Sequence, residues 1–73
     1  MSILPILVAR VVMTKLIKAG FRYVGAKGSH YIFKNFTNGR RTSVPYHSKT
    51  IGRGLLNKII KQAGLTIKEF LEL

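Results

Sequence analysis

The chain contains no cysteine, and two acidic side chains stand against thirteen lysines and arginines. Without cysteine, neither a disulfide framework nor a thiolate zinc site can form. That fits a reducing compartment, and a cytoplasmic location is expected. The two acids, Glu69 and Glu72, sit near the end of the sequence, so no carboxylate occurs from Met1 to Lys68. Two-metal nucleases and glycosidases depend on paired carboxylates, and a Ser-His pair needs Asp or Glu to orient it as a triad. The body of the chain has no residues for any of these. Two histidines with no cysteine or aspartate beside them make a poor metal site, so neither a metal nor a small-molecule cofactor is expected. Long apolar runs are missing too. The longest uncharged one, Ile3 to Ala9, is broken by Pro5 and followed by Arg10. It is far too short to span a bilayer and no cleavage site follows it, so neither membrane helix nor signal peptide is expected.

What is present is cationic and small. The 73 residues predict a single domain over 1–73, without repeats or linkers. A chain of that length hides about 60% of its unfolded surface. With 47% hydrophobic residues it can still build one modest core. A net charge of +11 should attract polyanions, nucleic acid first, with an anionic membrane or an acidic protein behind it. If the protein is an enzyme at neutral pH, histidine must carry the proton transfer, helped by cations, hydroxyls and backbone amides.

Hydrophobic spacing predicts the order α-β-β-β-α with an extra helical turn. Residues 1–7 read as an extended or irregular arm. A first helix is expected from about Val8 to Ala19, with Val8, Val12, Met13, Leu16, Ile17 and Ala19 on neighbouring rows and Gly20 as its left-handed cap. Strands follow at about Phe21–Ala26, Ser29–Phe36 and Arg40–Tyr46, the third an edge that tolerates Pro45. A three-residue loop between the first two strands would align Phe21 and Tyr23 with Phe33 and Tyr31. After a polar connection, His47 to Ile51, a second helix should cover Arg53–Ala63, burying Leu55, Leu56, Ile59, Ile60 and Ala63 before Gly64 ends it. Thr66-Ile67-Lys68-Glu69 matches a capping box and starts a short last helix through Leu71. One sheet face is apolar, so both helices should lie on it.

The most informative stretch runs from Lys27-Gly28-Ser29-His30 to Val44-Pro45-Tyr46-His47. Asn38-Gly39 between them is a strong signal for a two-residue hairpin turn. With that loop, Thr37 faces Arg40, Phe33 faces Val44 and His30 faces His47. Opposed side chains have Cβ atoms roughly 4.5–5.5 Å apart, close enough for two imidazoles to share one phosphate. Strand alternation puts His30, Ile32, Lys34 and Phe36 with Arg41, Ser43, Pro45 and His47 on the wet face, and Tyr31, Phe33, Val44 and Tyr46 on the other. The three aromatics read as core; Tyr23 is the exception that could stack on bases. Lys27 and Ser29 border the turn and can hold phosphate oxygens. Lys49, Thr50 and Arg53 gather at the start of the second helix, a natural anion site. Gly52-x-Gly54 lacks the third glycine of a dinucleotide fingerprint. Each residue has a bland counterpart: His30 as an ordinary exposed histidine, His47 as a strand cap, Gly28 and Ser29 as turn formers, the cations as a solvated face.

Phe21, Gly28-Ser29-His30, Val44-Pro45-x-His47 and the run Gly54-x-Leu56-x-x-Ile59-Ile60-Lys61-Gln62-Ala63-Gly64-Leu65 resemble the HicA toxins, also called YcfA-like proteins, over about Leu4 to Leu71. The chain departs from relatives at Val8-Ala9-Arg10, where they often carry Ser-Gly and a charge, and at Gly25-Ala26, where they often carry a polar pair. The resemblance implies an α+β fold like a double-stranded-RNA-binding domain, metal-free cutting of mRNA with His30 as the catalytic histidine, and a cognate antitoxin of the HicB type. The alternative is a non-catalytic RNA-binding domain using the same basic surface. The site expected from residues and resemblance together is His30, supported by Lys27, Gly28, Ser29, His47, Lys49 and Arg53.

Overall fold

A computed structural model describes residues 4–47 and 49–73; Met1–Ile3 and Ser48, parts of the expected arm and polar connection, lie outside the described residues. The elements run β1 (Leu7–Val8), α1 (Ala9–Lys18), β2 (Phe21–Lys27), β3 (His30–Asn35), β4 (Arg41–Pro45), β5 (Thr50–Ile51), α2 (Arg53–Ala63) and α3 (Ile67–Leu71). The three long strands form an antiparallel sheet in the order β2-β3-β4, and β1 pairs with β5 in a separate antiparallel ribbon. This α+β arrangement, with a three-stranded sheet and a short C-terminal helix, is the double-stranded-RNA-binding-domain-like architecture expected.

Each helix follows from its own residues. In α1, Val12 and Leu16 are buried one turn apart, and Lys15 and Lys18 fall in the last turn, where the helix dipole favours cations. The Lys15 ammonium donates to the carbonyls of Leu71 and Leu73, each at 3.1 Å, tying α1 to the end of the chain. Helix α2 has the expected bounds, and Leu56, Ile59, Ile60 and Ala63 are buried, whereas Leu55 at the edge of the stripe is exposed. Gly64 ends it in the left-handed region at φ 76°, which a side chain would oppose. The capping box closes as written: the Glu69 amide donates to the Thr66 hydroxyl at 3.1 Å, and the Thr66 amide to the Glu69 carboxylate at 2.8 Å. The helix so started drives Phe70 fully into the core.

Strand alternation decides what the helices cover. Phe21 of β2, Phe33 of β3 and Val44 of β4 join Val12, Leu16, Leu56, Ile59 and Ile60 in one buried cluster, so both long helices pack on the same sheet face. The opposite face, carrying His30, is left uncovered by them.

Two loop lengths differ from expectation. Asn38-Gly39 is the end of the β3–β4 loop and not the whole of it: the Asn35 amide donates to Arg40 O at 2.8 Å, enclosing Phe36 to Gly39. A two-residue turn of that type needs positive φ at both positions, and Gly39 alone has it, at 73°. Instead the Asn35 side chain accepts from the Thr37 amide at 2.9 Å and starts the turn early. The register therefore moves by two: His30 faces Pro45, Tyr31 faces Val44 and Phe33 faces Thr42. An even shift leaves every strand residue on its expected face. The β2–β3 loop is shorter than expected, a two-residue turn of Gly28-Ser29 with Lys27 paired to His30. A bulge between Tyr23 and Gly25 adds the missing residue, so Phe21 and Tyr23 still align with the face of Phe33 and Tyr31. Gly25 accommodates it at φ 151°.

The stretch expected as an irregular arm and the polar connection find each other. Leu7 pairs with Ile51 and Val8 with Thr50, Leu4 and Ile51 enter the core, and Arg53 Nε donates to Leu4 O at 2.8 Å.

Candidate functional site

The tip of the β2–β3 hairpin is built by glycine and held by a tyrosine. Gly28 turns at φ 60°, with open space where a Cβ would stand. Lys27 and His30 emerge as a directly paired couple on the uncovered face, and both are exposed. Behind the tip, the Tyr46 amide donates to Ser29 O at 3.1 Å and its hydroxyl to Gly28 O at 3.3 Å. Lys27, Gly28, Ser29 and His30 thus form one tethered unit, exposed except for the half-buried Ser29.

His47 stands elsewhere than expected. It follows β4 in a turn, beyond Pro45, which occupies the position opposite His30. Its ring lies 4.3 Å from that of Tyr46, at 41°. The ladder therefore does not make two opposed imidazoles, because the longer hairpin loop consumes the two residues that would have aligned them. Tyr46 nonetheless links His47 to the hairpin tip. Of the remaining cations, Lys49 lines a hollow with Arg10 and Tyr46, its carbonyl accepting from the Ala9 amide at 3.3 Å. Thr50 is taken into β5, and the Arg53 guanidinium holds the backbone at Leu4. Helix α2 begins at Gly52 without a side-chain cap. The start of α2 is thus divided between anchoring and exposed charge.

Three cations escaped the sequence reading as a group. Arg22 pairs with Lys34 and Lys34 with Arg41, giving a row of like charges straight across all three strands on the His30 face. Alternation alone puts Lys34 and Arg41 on that face; their alignment with each other and with Arg22 needs the register and the bulge. Opposed like charges weaken a sheet. A polyanion laid across the row would relieve that repulsion.

The aromatics also divide differently from expectation. Phe33 is core, but Tyr31 and Tyr46 are half-exposed and stacked, their centroids 4.1 Å apart. Tyr23 is 53% exposed. Among the described residues, no three His, Cys, Asp or Glu side chains come together where they could hold a metal ion, and no helix is long and apolar enough to cross a membrane.

Compared with known proteins, residues 9–65 match the model of a family described as the HicA toxin of bacterial toxin–antitoxin. No curated protein matches the chain.

Proposed function

The chain belongs to the HicA toxin family of bacterial toxin–antitoxin systems, and from that premise we propose that it is a metal-independent endoribonuclease that cuts mRNA through His30. As a toxin of such a system it has a partner antitoxin; in this proposal the partner is HicB-like and masks the His30 face by shape and opposite charge. In the same proposal, residues 1–73 form one HicA-like domain, and the site of action is the cytoplasm.

The observation that carries the reading is the Lys27–His30 pair, a cation and an imidazole side by side on an exposed, glycine-turned tip. The reaction needs a base for the ribose 2′-hydroxyl and positive charge for the phosphate. A ring nitrogen of His30 takes the 2′-hydroxyl proton, and the 2′-oxygen attacks the adjacent phosphorus. The bond to the 5′-oxygen breaks, and that oxygen leaves with a proton from solvent or a second acid. The products carry a 2′,3′-cyclic phosphate and a 5′-hydroxyl. Lys27 and Ser29 hold the non-bridging oxygens as their charge grows, and Gly28 lets the RNA backbone approach. His47, Lys49 and the outward part of Arg53 contact flanking phosphates.

His30→Ala tests this directly. RNA cleavage should fall by about 10²–10⁴-fold, with growth arrest on expression lost, while RNA affinity stays close to that of the parent. Unchanged cleavage by the variant, or equal cutting of an all-deoxy strand, would overturn the mechanism. A neighbouring reading frame encoding a HicB-like protein would support the partner.

A further inference from the structure

We propose that the groove between α1 and the β2–β3 hairpin is a nucleobase subsite, holding an unpaired base of the RNA on the helix side of the sheet while the strand crosses the hairpin tip to His30 on the other face; this rests on the RNA-cutting reading. One wall is Arg10, Met13 and Ile17 of α1, the other Tyr23 and Tyr31, around a volume of about 360 Å³. Arg10 and Met13 also line a neighbouring hollow of about 400 Å³, where Tyr46 and Lys49 stand. All three tyrosines of the chain therefore line these two adjoining hollows, which together form the proposed channel. Tyr23 meets Tyr31 edge-on at 5.0 Å, and Tyr31 stacks on Tyr46. Ile17 at 57% and Tyr23 at 53% exposure leave the mouth of the channel apolar and open.

The chemistry of the walls selects the occupant. Aromatic faces accept a flat ring, while Arg10 and Lys49 at the channel favour negative charge, and no carboxylate lines either hollow to neutralise them. A nucleotide offers both, base to the tyrosines and phosphate to the cations. An apolar protein segment would satisfy the walls and leave the cations unanswered. The channel also leads to the reacting centre. Tyr46 is bonded to the backbone of Gly28 and Ser29, and the missing side chain of Gly28 leaves room for the strand to cross the tip to the His30 face. The base in the channel then belongs to a nucleotide close to the cut, and the tyrosines take part in choosing where the RNA is cleaved.

The experiment uses the full chain with His30→Ala, so that binding is read without cleavage. The probes are a short single-stranded RNA and an abasic ribose-phosphate strand of equal length. The chain has no tryptophan, so its tyrosine emission reports on this channel alone. The RNA should quench that emission and the abasic strand should not. Adding Tyr23→Leu should weaken RNA binding by roughly tenfold and leave the abasic strand unaffected, and Tyr23→Phe should restore it. Equal quenching by both probes, or parental RNA affinity in Tyr23→Leu, overturns the subsite. So does a Tyr23→Leu defect confined to antitoxin binding, which would assign the channel to a protein. Base-dependent binding by a chain that never cleaves RNA would leave the subsite standing and sink the catalytic reading instead.

Discussion

Tyr46 clamps Ser29: its backbone amide, just past the end of β4, donates to the Ser29 carbonyl at 3.1 Å, and its ring stacks on Tyr31. The tip that presents His30 is therefore braced from the third strand. Removing the ring in Tyr46→Ala should lower stability by about 1–2 kcal/mol, since stacked aromatic pairs contribute about 0.5–1.5 kcal/mol beyond area burial. Tyr46→Phe loses one exposed hydroxyl contact and should cost no more than about 0.5 kcal/mol. If the clamp positions His30, cleavage by Tyr46→Ala should fall further than its RNA affinity. Urea denaturation beside single-turnover cleavage separates the two effects.

A polar bond joins α2 to the β4 edge. The Thr42 hydroxyl, on a residue 4% exposed, donates to Gln62 Oε1 at 3.0 Å, while Gln62 is itself exposed. The two ends of this bond should respond unequally. Thr42→Val releases an amide oxygen that water can reach, and stability should change by less than about 1 kcal/mol. Gln62→Ala strands a buried hydroxyl, which costs roughly 1–3 kcal/mol. Chemical denaturation of the two variants should show the second as the weaker; the reverse order would mean that Thr42 finds another partner.

The position of His47 makes a kinetic prediction. Pro45, not His47, stands across from His30, so His47 is not its ladder partner in proton transfer. In His47→Ala, cleavage should fall modestly through weaker RNA binding, and the pH–rate profile should keep its shape. A general acid would instead take one limb of the profile with it. A lost limb in the variant would bring the second histidine back into the chemistry.

Much of this architecture was readable because the strongest signals are local. Helix α2, the Thr66–Glu69 capping box and the division of strand faces depend on residues a few positions apart. Adjacency across strands depends on loop length, and there the sequence is ambiguous. Asn38-Gly39 advertises a two-residue turn, but the Asn35 side chain closes a longer one. The β2 bulge hides in Tyr23-Val24-Gly25, where an extra residue cancels the shorter Gly28-Ser29 turn. Both discrepancies preserve the faces, so exposure of His30 was foreseeable while its opposite neighbour was not. The β1–β5 ribbon was missed because two residues per strand carry no periodicity.

The row Arg22–Lys34–Arg41 offers the sharpest separation of folding from function. Opposed side chains on neighbouring strands stand roughly 4.5–5.5 Å apart at Cβ, well inside a Debye length of about 10 Å at 0.1 M salt. Lys34 sits between two guanidinium groups and experiences both. Replacing an outer member, as in Arg41→Gln, should therefore raise stability by a few tenths of a kcal/mol, roughly, at low salt, and the gain should shrink as salt is added. If the row meets RNA phosphates, the same substitution must weaken RNA binding and lower the salt slope by about one. Lys34 lies four residues along β3 from His30, roughly 13 Å at strand spacing, so phosphates on the row are flanking ones. Cleavage at saturating RNA should accordingly stay near the parental rate, the loss appearing in KM. A variant that is both more stable and equally tight on RNA would show that the charges repel one another without serving the substrate.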